Sequence, residues 1–285
     1  MYYQYTDINA VKSIIENNSM RLTNIRFLND RAEFHIGVKY LLQGFNSYLF
    51  HPTVSELCKN TLLHLINSWL NYSWFNSSSN PLNNHIDNLY VASFSKSNDV
   101  LSQWRGYGMY SLEFKLDTPT GYAQTGPLHL MDCHYFDDSG NDQTRYAANV
   151  VDIIATHYCR YWNENGSNEI ITNQLLEMIC VYALTFKHHS FTEENESRLI
   201  YLNSRNTHLV EFRTHNDMLI PFITWKFPSQ VITKVTVGPV SDQLTATSSL
   251  ATFIRQKCNE YNNRSIPLGA WNILIQYSQS TLKPK

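Results

Sequence analysis

Phe191-Thr192-Glu193-Glu194-Asn195-Glu196-Ser197-Arg198-Leu199-Ile200-Tyr201 runs an acidic cluster straight into a segment that reads as a buried strand. That junction sets carboxylates at the mouth of a sheet. Residues i and i+2 of an extended chain point the same way, so Glu194 and Glu196 are expected to share one cleft. Two carboxylates in one cleft tend to titrate apart, which leaves one to stabilise a developing cation and the other to take a proton. The plainer alternative is a solvated acidic turn ahead of a strand.

Outward from this junction, strands are expected at 197–202, 208–213, 219–225 and 231–237, where Gly238-Pro239 stops the last. A surface helix at 241–261 and a strand at 273–277 follow. Upstream lie two helices with apolar residues at helical spacing, 143–163 and 168–187, and before them strands at 90–95, 110–116 and 129–135. A helical turn at 99–104 is broken by Gly106 and Gly108. The chain opens with a strand over 1–5. A helix capped by Thr6 or Asp7 follows, with Ile8, Val11, Ile14 and Ile15 on one face. An extended piece at 20–22 leads to a helix capped by Asn29 or Asp30 and ending near Phe45; another helix spans 54–75. The polar stretch to Asn84 reads as a loop, with Trp74-Phe75 as a core anchor or docking site. Strands at both ends with helices between give the α+β class as one domain over 1–285, with 141–187 expected as a helical insertion.

The chain has 285 residues, 43% of them hydrophobic, which suffices for a substantial core. Charged residues make up only 16%, and the net charge of -2 provides no global basic field for gripping long nucleic acid. A nucleic-acid partner would need a local cluster, such as Lys187-His188-His189 or Arg26 with Arg31. The five cysteines are scattered without a C-x-x-C pair, which argues against a disulfide framework or a zinc ribbon. With no signal-like N-terminus and no apolar run of membrane-spanning length, a cytoplasmic location is expected and no membrane partner.

Four segments carry candidate chemistry: Tyr3-Gln4-Tyr5-Thr6; Leu28-Asn29-Asp30-Arg31-Ala32-Glu33; Val91-Ala92-Ser93-Phe94-Ser95 followed by Asp99 to Gly108; and Phe186-Lys187-His188 through Ile200. Taken singly, each has a structural reading. Tyr3 and Tyr5 are core aromatics, Asn29 and Asp30 cap a helix, Trp104 plugs the core, and Arg198 pairs with a neighbouring glutamate. Taken in order, Y-x-Y-T, L-N-D-x-x-E, V-A-S-F-S with D-x-L-S-Q-W-R-x-Y-G, and F-K-H-x-x-F-x-E-E-x-E-x-R-L-I resemble the bacterial family known as domain of unknown function 2971. Val235-Thr236-Val237-Gly238-Pro239 is similar to that family's late I-x-I-G-P element.

That family in turn resembles ADP-ribosyltransferase toxins, which implies a split mixed β-sheet core with flanking and inserted helices. It also implies NAD as substrate, without a metal. Ser93-Phe94-Ser95 matches the S-T-S element and Glu194-Asn195-Glu196 the E-x-E element, while Gln4 stands where a His is expected. The resemblance implies catalytic roles for Glu196, which stabilises positive charge at the ribose, Glu194, which positions the acceptor or takes its proton, and Ser93, which orients Glu196 or the ribose. Gln4, Tyr5, Thr6, Asn29, Ser95, Trp104 and Arg105 are then expected to bind the dinucleotide. Tyr5 or Trp104 would stack on nicotinamide, and Arg105, Arg31 or Arg198 would meet the pyrophosphate. The implied acceptor is nucleic acid, with RNA favoured over DNA, or protein. The implied setting is a toxin in anti-phage defence held in check by an antitoxin. The alternatives are a non-catalytic sensing module on the same scaffold, or a metal-dependent nuclease using Asp30, Glu33, Glu194 and Glu196.

Overall fold

The computed structural model describes residues 1–28, 31–70, 85–116, 127–137, 141–166, 168–203, 208–264 and 271–280, the side chains of 31, 32, 69, 70, 141, 142 and 264 excepted. In chain order the elements are β1 (Tyr2–Thr6), α1 (Ile8–Asn17), β2 (Ser19–Asn24), α2 (Arg31–Asn46), α3 (Glu56–Leu70), β3 (Leu89–Ser95), α4 (Leu101–Tyr107) and β4 (Tyr110–Phe114). Then come β5 (Leu128–Asp132), β6 (His134–Phe136), α5 (Asn141–Asn165), α6 (Glu169–Ala183), β7 (Phe186–His188) and β8 (Glu196–Leu202). The chain closes with β9 (Glu211–His215), β10 (Met218–Lys226), β11 (Ile232–Val237), α7 (Gln243–Arg264) and β12 (Leu274–Tyr277). The class is α+β.

β3 is the hub of the sheet. One edge pairs antiparallel with β8 along its whole length, from Leu89 opposite Leu202 to Ser95 opposite Glu196, and β5 lies beyond β8. The other edge is shared. β2 holds its first half through Val91 and Tyr90, and β1 holds its end through Tyr3 opposite Ser95. The sheet therefore forks there, one limb running β1-β4-β11-β12 and the other β2-β10-β9.

Helices cover both faces. Leu89, Val91, Ile200 and Leu202 pack with α2, α3, α5 and α6, while Tyr90, Ala92, Phe94, Leu199 and Tyr201 pack with α1 and α7. Burial on both faces explains why Leu89 to Ala92 of β3 and Leu199 to Leu202 of β8 are apolar without alternation. The helices of the expected 141–187 insertion share one apolar cluster with α2, α3 and the central strands. The nominal surface helix α7 buries Leu250, Ile254 and Cys258, spaced four apart, against the second face.

Three boundaries differ from expectation. The strand at 129–135 is two strands: Cys133 still donates to the Glu196 carbonyl at 2.9 Å, but the chain then leaves the main sheet and β6 pairs parallel with β7. The helix expected to reach 187 ends at Ala183, because the Thr185 hydroxyl and amide both turn back onto the Tyr182 carbonyl (2.6 and 3.0 Å) and satisfy an orphan acceptor. Lys187 therefore lies on a strand. β9 runs to His215, because Asn216 and Asp217 both adopt positive φ (46° and 60°) and make the two-residue turn into β10. Residues 71–84, including Trp74-Phe75, lie outside the described residues.

Candidate functional site

The end of β3 meets the fork, and there a cleft opens. Tyr3, Gln4, Tyr5, Ser93, Phe94, Ser95, Gln103, Tyr107, Glu194 and Glu196 line its volume of about 100 Å³. Glu194 ends a 3-10 turn, Asn195 is left-handed (φ 43°) and Glu196 opens β8. The two carboxylates do converge, but not through the extended i, i+2 geometry expected of them. They converge because both grip one cation: the Lys187 ammonium lies 2.8 Å from Glu194 Oε2 and 2.6 Å from Glu196 Oε2.

Beneath them the charges continue. Arg198 Nε donates to Glu196 Oε1 at 2.8 Å, Nη1 to the Leu184 carbonyl at 2.7 Å, and Nη2 to Glu33 Oε2 at 3.1 Å. Among the described residues, three carboxylates thus surround two cations. Lys187, Arg198, Glu196 and Glu33 are all buried, whereas the Glu194 side chain keeps 14% exposure toward the cleft. Burial would raise the Glu196 carboxyl, but Arg198 and Lys187 outweigh it and hold the group at about 2. Burial would likewise discharge Lys187, and the Glu196 charge with the hydrogen bonds that Lys187 donates to both glutamates reverses that and raises it. Glu196 therefore stays ionised with both oxygens engaged. Glu194 Oε1 meets only the Tyr107 hydroxyl, at 3.3 Å.

The serines divide the work. Ser95 Oγ donates to the Glu194 carbonyl at 2.6 Å and accepts from the Ser97 amide at 3.0 Å, stapling β3 to the acidic turn. Ser93 stands opposite Arg198 in register and is exposed in the cleft, while Glu196 itself is held by Arg198 and Lys187. The Glu196 amide donates to the Tyr135 hydroxyl at 2.6 Å, which fixes the start of β8.

The aromatic residues are struts. The Tyr5 hydroxyl donates to the Ser97 carbonyl and accepts from the Val100 amide, both at 3.0 Å, and burial pushes its phenol up to about 12. Trp104 is fully buried, edge-on to Tyr5 at 4.6 Å, with Nε1 donating to Asp99. It therefore cannot stack on a ligand. Gly238 lies against its ring, where a Cβ would come within 2.9 Å, so the Gly-Pro element stops a strand and also seats this tryptophan.

Gln4 sits opposite Leu112, on the strand face that Tyr2 shares with Phe94. It borders the cleft, but by the pleat its side chain turns to the far face, where Oε1 is buried without a hydrogen-bond partner. Thr6 ends β1 outside the cleft lining, its carbonyl against Gly108. Arg105 is exposed on α4 and is not among the lining residues. Arg198 is committed to Glu196 and Glu33, as its structural reading held, and so does not face a pyrophosphate. Lys187, expected in a basic patch, is sealed in the interior, and Arg26 pairs with Asp87. Asn29, Asp30 and the Arg31 side chain lie outside the described residues.

Sequence reasoning missed Tyr3, Gln103, Tyr107, Tyr135 and Lys187. All but Tyr135 stood inside the motif blocks, but no local signal marked Lys187 as a buried cation. Among the described residues no His, Cys, Asp and Glu cluster with the geometry of a metal site, and no helix is long and apolar enough to cross a membrane. Comparison with protein-family models, curated proteins and solved structures finds no match to this chain.

Proposed function

We propose that this cleft is the active site of an ADP-ribosyltransferase that takes the ADP-ribosyl group from NAD and passes it to a nucleic-acid base, RNA before DNA, or to a protein side chain. The observation that carries the reading is the charge cluster at the end of β3: among the described residues three carboxylates around two cations, with Glu194 the more exposed of the two glutamates that line the cleft. Such a site favours the cationic nicotinamide ring and the positive charge that grows on the ribose as its glycosidic bond opens. The fork of the sheet at β3, with serines on the hub strand and E-x-E on its neighbour, agrees with the split-sheet arrangement that the motifs imply.

The roles of the two glutamates exchange relative to the sequence expectation. Glu194, open to the cleft, accepts from the ribose hydroxyl and faces the developing charge. Glu196 holds Lys187 and through it the orientation of Glu194. Ser93 is open to the ligand from the cleft floor. A volume of about 100 Å³ is below the roughly 300–1,000 Å³ of ordinary ligand pockets. The cleft therefore takes the nicotinamide end, and the adenylate half lies across its mouth. The same reading makes the chain a toxin of anti-phage defence, carried with a neutralising antitoxin.

Incubation with adenylate-labelled NAD and, separately, RNA, DNA and cell protein tests this. Label transfer is expected with one acceptor class, and Glu194→Gln should lower the rate about 100-fold or more while the fold persists. A wild-type protein that neither releases nicotinamide nor labels any acceptor would falsify the proposal. The engagement of both Glu196 oxygens favours a second reading, a non-catalytic sensing module. In that case Glu194→Gln leaves the cellular effect of the protein unchanged.

A further inference from the structure

β9 ends one limb of the sheet, and among the described residues no strand pairs with its outer edge. Sheet edges of soluble proteins are usually blunted by lysine, proline or a bulge. This one carries Glu211 and Arg213 but also exposes Phe212 (60%), beside Leu219 (62%) on β10 and after Leu209 (83%). We propose that β9 pairs antiparallel with β9 of a second copy of this chain, about a two-fold axis through Phe212, joining the two sheets into one.

The register follows from the backbone. The two-residue turn at Asn216-Asp217 makes His215 and Met218 the closing, hydrogen-bonded pair. By alternation Arg213 and Glu211 also aim their backbone groups at β10, so Val210, Phe212 and Thr214 aim theirs outward. Pro221, opposite Phe212, agrees with this: it has no N–H to give, as a non-hydrogen-bonded pair allows. Pairing centred on Phe212 therefore satisfies the outward groups of Phe212 with those of its copy, and those of Val210 with those of Thr214.

The side chains select the same centre. Glu211 falls opposite Arg213 of the second copy, twice, on one face, and the Phe212 rings meet on the other. The Thr224 hydroxyl donates to Glu211 and keeps that carboxylate on the face of Arg213. A pairing centred on Arg213 would set two guanidinium groups directly opposite each other, which is unfavourable. A closed two-fold pair removes both edges at once.

Sedimentation velocity over a range of micromolar concentrations reads the result, with amide exchange at each end of the range. A reversible dimer is expected, with the Phe212 and Thr214 amides slowed at high concentration. Glu211→Arg and Arg213→Glu should each weaken it at least tenfold, and the double exchange should restore it. Phe212→Arg should give a monomer with an unchanged circular dichroism spectrum. A single-chain mass at every concentration overturns the proposal, as does a dimer indifferent to both single reversals.

Discussion

Lys187 is the residue on which the candidate site turns. It is a lysine with 1% exposure, held by two carboxylates at hydrogen-bond distance. Replacing it with methionine keeps the length of the chain but leaves Glu194 and Glu196 facing each other, with Arg198 alone to offset the latter. Removing one partner of a buried ion pair is strongly destabilising, because the remaining charge stays buried without compensation. Lys187→Met is expected to lower unfolding free energy by about 3–5 kcal/mol, measured by urea denaturation. A loss below about 1 kcal/mol, the range of exposed pairs, would mean that the cluster is solvated. The sequence displays Lys187 inside Phe186-Lys187-His188, but nothing local says that it is buried. That depends on Glu194 and Glu196 arriving from the next turn and strand.

Among the elements, α4 and the β3 end form one unit. Trp104 locks α4 to Tyr5 of β1, and the loop between β3 and α4 is tied to Tyr5 and, through Ser95, to the acidic turn. Gly108 makes the joint possible. Its φ of 131° is a glycine conformation, and a Cβ there would sit 2.4 Å from the Thr6 carbonyl oxygen. Gly106, two residues earlier, would meet nothing within 4 Å. Gly108→Ala should therefore cost about 1–3 kcal/mol, while Gly106→Ala should add up to about 1 kcal/mol through helix propensity. Thermal unfolding of the two variants side by side distinguishes them. The stretch Gln103-Trp104-Arg105-Gly106-Tyr107-Gly108 shows two glycines alike; only the approach of β1 tells them apart.

For the molecule as a whole, buried titratable groups set the acid limit, His129 and Glu196 among them. His129, 1% exposed on β5, is pushed by burial from 6.5 down to about 4. Its folded value lies below its unfolded one, so stability is full above about 6.5 and falls as pH drops from there toward about 4. Glu196, lowered from 4.5 to about 2, contributes fully above about 4.5 and loses that contribution as pH falls toward about 2. Denaturant unfolding followed against pH should show two successive declines. His129→Leu should make the first shallower, with buried His85 still contributing to it, and spare the second. A profile level from pH 7 to 4 in the wild type would contradict the burial of His129.

The sequence by itself determined what short-range chemistry controls. The Asp7 cap with Val11, Ile14 and Ile15 made α1, the apolar runs of β3 and β8 marked doubly covered strands, and Glu193 to Glu196 marked a sheet mouth. Tertiary structure alone decided which glutamate faces the cleft and which is sealed, since Arg198 reaches Glu196 from two residues away but Glu33 from 165. It also decided that Trp104 and Arg198 are internal, and that α6 stops before Lys187. The physical reason is range. Caps and periodicity act within a few residues, whereas burial and charge compensation depend on which distant segments the sheet register brings together.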